Sequence, residues 1–272
     1  MSTLAEKKAE LAIHLLKFER VVVAFSGGVD SSFLLKSAYE VLGGRAVAVT
    51  GRSLSFPQRE LDAAQAFADR LGIRHFVVDS EELEIDGFAD NPPDRCYICK
   101  KTLFGKILEL TRAQGLGEVI EASNLDDEGD YRPGLLALSE LGIHSPLRAA
   151  RLSKSDIRLL SREMGLSTWD KPSFACLASR FPYGERIDPD RLRRIDAAEQ
   201  FLLEQGFVQV RVRFHDQGRL ARIEVDTAGF ELLEKSGLRD LIHDRFRELG
   251  FIYVCADLKG YRTGSMNETL PA

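Results

Sequence analysis

Apolar and polar positions along the chain follow two different rhythms. Leu4, Leu11 and Leu15 recur among Lys and Glu at helical spacing, so residues 1–20 read as an amphipathic helix. The apolar run at 21–25 is rich in valine and too short for a helix, and it leads into Ser26-Gly27-Gly28-Val29-Asp30-Ser31-Ser32 and then a helical Phe33-Leu34-Leu35-Lys36. That is strand, glycine turn, helix. Further strands are predicted at 46–50, 75–79 and 118–122, with a helical pattern over 60–71. Strands alternating with helices at these intervals imply right-handed βαβ units and an α/β fold with a doubly wound parallel sheet, whose ligands sit beyond the carboxyl ends of the strands.

Later the rhythm changes. A helix over 189–205 precedes a period-two run at 208–214, the turn His215-Asp216-Gln217-Gly218, and a second run at 220–225, which together read as a β-hairpin. A helix over 238–249 and a final strand at 251–257 complete a smaller α+β domain. The expected division is 1–178 for the nucleotide-type domain and 185–272 for the C-terminal one. Two irregular segments stand out. Asn91-Pro92-Pro93-Asp94-Arg95-Cys96-Tyr97-Ile98-Cys99-Lys100-Lys101 opens with two prolines and reads as a functional loop, as does the stretch 169–184 with Pro172, Cys176, Ser179, Arg180 and Pro182.

Composition narrows the function. An apolar fraction of 44% and a charged fraction of 29% are those of an ordinary globular protein, and 272 residues make two domains the natural reading. A net charge of -5 argues against a protein whose main task is gripping nucleic acid. No run resembles a signal sequence or a membrane span, and four cysteines in a chain this long do not make a disulfide scaffold. The expectation is a cytoplasmic enzyme with no membrane and no nucleic-acid partner.

The loop from Ser26 to Ser32 carries the sharpest chemistry. Glycines admit phosphate oxygens to the backbone, a helix N-terminus supplies positive partial charge, and serine hydroxyls donate hydrogen bonds. The loop lacks the Gly-Lys-Ser/Thr ending of a γ-phosphoryl-transferring loop. It matches the SGGxDS signature of the PP-loop ATP pyrophosphatases, a resemblance that implies attack at the α-phosphate, AMP transfer and pyrophosphate release. Asp30 then orients the Mg2+ carried with ATP, or else complements the helix dipole. Asn124, Asp127 and Arg132, just past the fourth strand, are further candidates for nucleotide, metal and phosphate contacts, against the alternative of a solvated acidic loop.

Cys96 and Cys99 form a C-x-x-C pair, Cys176 lies in the second loop, and Cys255 in an apolar strand reads as a core residue. Spacing alone leaves three readings open: a [4Fe-4S] cluster on Cys96, Cys99 and Cys176 with one iron free for sulfide, a redox dithiol, or a nucleophilic Cys176. The five histidines show no metal-ligand spacing, and His215 alone stands near a candidate substrate residue.

The phosphate loop, Asp130-Tyr131-Arg132-Pro133-Gly134, Ser179-Arg180-Phe181-Pro182-Tyr183-Gly184, Arg211-Val212-Arg213-Phe214-His215 and Arg222-Ile223-Glu224 together closely resemble the LarE family over nearly the whole chain. These are sulfur transferases that help build the nickel-pincer nucleotide of lactate racemase. The resemblance implies that ATP adenylylates the carboxylates of pyridinium-3,5-biscarboxylic acid mononucleotide and that sulfur converts each to a thiocarboxylate. It also implies a homo-oligomer and a separate sulfide donor. One branch of the family consumes its own cysteine, which lies four residues before the serine of Ser-Arg-Phe-Pro. Here Ala175 holds that place, Cys176 is displaced by one, and Cys96 and Cys99 are present, so the chain resembles the three-cysteine cluster branch.

By the same resemblance Arg211 and Arg213 hold the substrate phosphate, where the bland reading is a solvated strand face. Ser179 and Arg180 match substrate-site positions, or else serve as a cap or loop ion pair. Glu199 and Glu224 match acidic positions that the family places near a divalent metal. The competing functions are a PP-loop tRNA thiolase, which calls for a basic RNA surface, sacrificial sulfur transfer from Cys176, and a non-catalytic adenylate-binding or iron-sulfur scaffold.

Overall fold

A computed structural model describes residues 3–127 and 133–269. The chain forms two compact units, Met1–Glu82 with Cys96–Ser173, and Leu83–Arg95 with Phe174–Ala272.

In the first unit α1 (Leu4–Leu16) starts in a capping box, Thr3 accepting from the Glu6 amide while the Glu6 carboxylate accepts from the Thr3 amide. Then come β1 (Val21–Ala24), α2 (Val29–Leu42), β2 (Ala46–Arg52), α3 (Gln58–Arg70), β3 (His75–Asp79), α4 (Arg95–Gln114), β4 (Glu118–Ile120), α5 (Pro133–Glu140), α6 (Pro146–Ala149) and α7 (Lys154–Glu163). The four strands pair in parallel in the order β3-β2-β1-β4. Side-chain alternation sends Val21 and Val23 to one face, where they pack with residues of α1, α2, α3 and α7, and Val22 to the other, where it meets Phe104, Ile107 and Leu138 of α4 and α5. Helices on both faces make the sheet doubly wound, as the alternating pattern predicts. Strand order reverses at β1, so the crevice beyond the carboxyl ends of β1 and β4 is the topological switch point.

The second unit holds α8 (Pro189–Glu204), capped by Asp188 with Pro189 in its first turn, then β5 (Val210–His215), β6 (Leu220–Val225), α9 (Thr227–Leu233), α10 (Leu238–Glu248) and β7 (Tyr253–Ala256). β5 and β6 form the predicted antiparallel hairpin, and β7 adds in parallel at the edge of β6. At the hairpin turn Gly218 has φ +88, and a Cβ there would sit 2.1 Å from the Phe214 ring.

The structure departs from the sequence reading at three places. Residues 95–101 are not loop: the two prolines confine irregular chain to 91–94, and Cys96 and Cys99 fall in the first turns of α4. Cys255 is exposed, because β7 is an edge strand with Tyr253 also open to solvent, so an apolar stretch did not mean a buried one. Residues 83–95, expected in the first domain, belong to the second unit. Asn91 is fully buried there, donating to the carbonyls of Phe181 and Pro182 and accepting at its own carbonyl from the Gly184 amide.

Candidate active site

The turn after β1 is built around Gly27, whose φ of +68 strains any other residue and where an added Cβ would meet the Ala64 Cβ of α3 at 3.1 Å. Gly28 caps α2 without a side-chain bond, so the first-turn amides of the helix keep no internal side-chain acceptor. Ser31 braces the turn: its hydroxyl lies 3.1 Å from the Ser26 hydroxyl, accepts from the Ser26 amide at 3.3 Å and donates to the Gly28 carbonyl. Ser26 is exposed, whereas Ser31 and Ser32 are buried. Asp30 places one carboxylate oxygen against Lys154 and leaves the other buried with no hydrogen-bond partner. An orphaned buried carboxylate oxygen at a helix N-terminus suits a hard cation such as Mg2+.

Past β4, Asn124 is buried and organises a tight turn. Its amide donates to Asp127 Oδ2 at 2.9 Å, and its Oδ1 accepts from the Asp126 amide at 2.9 Å. The start of α7 ties this turn to the phosphate loop, since the Lys154 amide donates to Asp126 and the Lys154 ammonium to Asp30. Arg132 lies outside the described residues.

In the second unit the candidate residues converge on buried arginines. Arg180 is wholly inaccessible and forms a bidentate pair with Glu199 at 2.8 Å through both Nε and Nη2. Its Nη1 donates to the carbonyls of Ala175 and Cys176 and to the Ser179 hydroxyl. The guanidinium therefore clamps the backbone that carries Cys176, and its proximity holds the Glu199 carboxyl below its usual range despite complete burial. Glu199 also accepts from the Val212 amide at 2.9 Å.

Arg213 donates to Glu224 at 2.7 Å, to Ser265 and to the Ser179 carbonyl, and its Nε is buried without a partner. Arg211 lies over the rings of Phe174 and Tyr261, 5.3 and 5.1 Å from their centroids. Burial, reinforced by Arg180, pulls its pKa down to about 10. Burial, then Arg222 and Arg213, likewise lowers that of His215. The carboxylates of Glu199 and Glu224 are thus taken up by arginines, and within neither unit do three His, Cys, Asp or Glu side chains come together as a metal site among the described residues.

Cys96 and Cys99 lie one helical turn apart on α4 in the first unit, and Cys176 precedes a short 3-10 turn, Leu177–Arg180, in the second. None of the cysteines is in a disulfide. The residues that sequence reasoning missed are Lys154, Lys171, Phe174, Tyr261 and Ser265. Each reaches its place only through long-range folding.

A family model described as asparagine synthase matches residues 8–103, the part that contains the phosphate loop. An uncharacterized protein of Synechocystis sp. is 42% identical over 93% of this chain and 94% of its own. The pyridinium-3,5-bisthiocarboxylic acid mononucleotide synthase of Lactiplantibacillus plantarum is 40% identical over 99% of this chain and 97% of its own. The chain belongs to this family, LarE. A LarE protein is a PP-loop enzyme and an ATP-dependent sulfur transferase, consistent with the phosphate loop placed at the switch point. The tRNA-specific 2-thiouridylase MnmA of Azorhizobium caulinodans is 31% identical, over 64% of this chain and 54% of its own. That likeness leaves about a third of the LarE chain unmatched. Among the described residues no helix is long and apolar enough to cross a membrane.

Proposed function

We propose that the protein adenylylates the carboxylates of pyridinium-3,5-biscarboxylic acid mononucleotide with ATP and converts each to a thiocarboxylate, supplying the nickel-pincer nucleotide. The observation that carries this reading is the end-to-end similarity to the Lactiplantibacillus plantarum synthase. A carboxylate oxygen bonds to the α-phosphorus as the bond to pyrophosphate breaks. A sulfur nucleophile then bonds to the acyl carbon and AMP leaves. The amides of the 26–32 loop receive phosphate oxygens, with Asn124 and Asp127 as nucleotide contacts and Arg132 as a further one. The open oxygen of Asp30 suits the Mg2+ that accompanies ATP.

In the second unit Arg211 and Arg213 hold the substrate phosphate. The stacked, buried guanidinium of Arg211 and the unpartnered Nε of Arg213 support that role. Ser179 and Arg180 present the Cys176 backbone. Arg180 acts as a positioning residue, because its donors are engaged inside the fold. Glu199 and Glu224 act first as counter-ions that fix the arginines.

Sulfur is delivered through Cys96, Cys99 and Cys176. The chemistry of the donors supports the reading: three thiols outside disulfides, two of them a helical turn apart on α4, would hold three irons of a [4Fe-4S] cluster and leave the fourth without a protein ligand. Such a cluster would supply an iron that binds exogenous sulfide. A sulfide donor, a cytoplasmic location and a homo-oligomeric assembly belong to the same proposal. RNA thiolation is disfavoured by the net charge of -5.

The test is anaerobic iron and acid-labile sulfide analysis with electron paramagnetic resonance on the unmodified protein and on Cys96→Ala, Cys99→Ala and Cys176→Ala. A cubane signal lost in each variant is expected. Reconstitution without a cluster, together with loss of H2S from Cys176 after turnover, overturns it in favour of sacrificial transfer.

A further inference from the structure

The loop from Ser26 to Ser32 contains no lysine, yet folding brings two lysines to it from far along the chain. They are held very differently. Lys171 is fixed from two sides, its ammonium donating to the Gly27 carbonyl at 3.0 Å and to the buried carboxylate of Glu60 at 2.7 Å. Its own carbonyl accepts from Arg158 at 2.9 Å and Pro172 comes next in the chain, so both ends of the residue are pinned. Lys171 shapes the loop and has no freedom to track a reacting group.

Lys154 has that freedom. Its backbone is anchored as the first residue of α7, where Ser153 and Asp156 form a capping box and Asp126 accepts from its amide. Its side chain is one-third exposed and meets a single described acceptor, Asp30 Oδ2. An ion pair this open to solvent contributes little to stability. A cation in the first turn of a helix is also opposed by the helix dipole. The position is therefore poor for holding the fold together and favourable for meeting an anion, since the ammonium stands beside the N-terminus of α2 that closes the phosphate loop.

We infer that Lys154 is the catalytic lysine of this loop: its ammonium leaves Asp30 and contacts the pyrophosphate moiety of ATP as that group departs. The inference rests on the adenylylation reading. As the carboxylate oxygen bonds to the α-phosphorus and the bond to the β-phosphate breaks, negative charge gathers on the leaving pyrophosphate. The fixed +1 charge of Lys154 stabilises it, with no proton transferred. The loop thus gains from residue 154 the charge that other phosphate loops carry within their own motif.

The experiment measures ATP–pyrophosphate exchange with the dicarboxylate substrate, and separately the shift in thermal unfolding caused by inorganic pyrophosphate with Mg2+. Both are done on the unmodified protein, Lys154→Met and Lys154→Arg. Lys154→Met is expected to slow exchange by about 100–1000-fold and to lose the pyrophosphate shift, while its ligand-free unfolding stays close to that of the unmodified protein. Lys154→Arg is expected to recover part of both. If methionine is not tolerated, Lys154→Gln repeats the test with a neutral polar side chain. Exchange within about 5-fold of the unmodified rate in a folded neutral variant, against the loss that a charge-stabilising donor predicts, overturns the role of Lys154 and leaves adenylylation standing. No exchange by the unmodified protein, with a pyrophosphate shift that still depends on Lys154, overturns adenylylation and leaves the lysine as a pyrophosphate ligand. A pyrophosphate shift that survives in Lys154→Met overturns the inference whatever the exchange assay reads.

Discussion

Arg211 is costly to the fold, and the phosphate role proposed for it would give that cost a use. Its folded-state pKa of about 10 lies below the ordinary arginine range, first through burial and then through repulsion from Arg180. At neutral pH the group is charged in both folded and unfolded chains, so the whole penalty is present there. It is relieved only as pH rises through about 10, where the folded form sheds its proton before the unfolded one does. An anion bound against the guanidinium offsets the same penalty. Arg211→Met is accordingly expected to raise the ligand-free unfolding midpoint, by about 2–8 °C for roughly 1–2 kcal/mol, and to abolish the stabilisation by the proposed substrate mononucleotide that is expected of the unmodified protein. Scanning fluorimetry with and without the mononucleotide decides it. A lower ligand-free midpoint would show that the stacking on Phe174 and Tyr261 outweighs the buried charge. The pair of strand arginines was legible in the sequence as a candidate for holding phosphate. Its aromatic walls were not, because residues 174 and 261 join Arg211 only once the second unit has folded.

At the level of elements, the strand–turn–helix around the phosphate loop could be read from periodicity because its apolar run, glycines and helical pattern are contiguous in sequence. Its glycine is also the place where one methyl group should matter most. Gly27→Ala is expected to cost about 1–2 kcal/mol for the left-handed backbone, with a further loss because the new Cβ meets Ala64 at 3.1 Å. Displacing Ala64 moves α3 against the loop, so nucleotide affinity falls more than stability does. Calorimetric titration with an ATP analogue, alongside urea unfolding, checks this, and unchanged affinity in a folded variant would mean that the loop tolerates the shift. The start of α4 was misread for a local reason: prolines at 92 and 93 disfavour helix at the positions before them, but leave residues from 94 onward free to become helical. The lysines of α7 and of residue 171 carried no sequence signal, since their partners lie 124 and 144 positions away.

For the whole molecule, the chain passes between its two units three times, at 82–83, 95–96 and 173–174. A boundary drawn once along the sequence, 1–178 against 185–272, tracks the change in hydrophobic rhythm but omits the segment that the first unit lends to the second. That segment is well buried: Phe88 and Asn91 have almost no exposed surface, the Asn91 amide group reaches two carbonyls of the 181–182 turn, and the Ala89 carbonyl accepts from the Ile187 amide. Without it, the carbonyls of Phe181 and Pro182 and the amides of Gly184 and Ile187 lose their partners, at about 1–3 kcal/mol for each group left buried and unsatisfied. The segment therefore completes the turn just after Ser179 and Arg180. A fragment of residues 174–272 alone is expected to lack a cooperative unfolding transition, and one in which residues 83–95 are joined to its N-terminus through a flexible linker is expected to regain it. Near-ultraviolet circular dichroism during urea unfolding distinguishes the two. A cooperative transition in the shorter fragment would show that the hairpin, α8 and α10 suffice for this unit to fold without the borrowed segment.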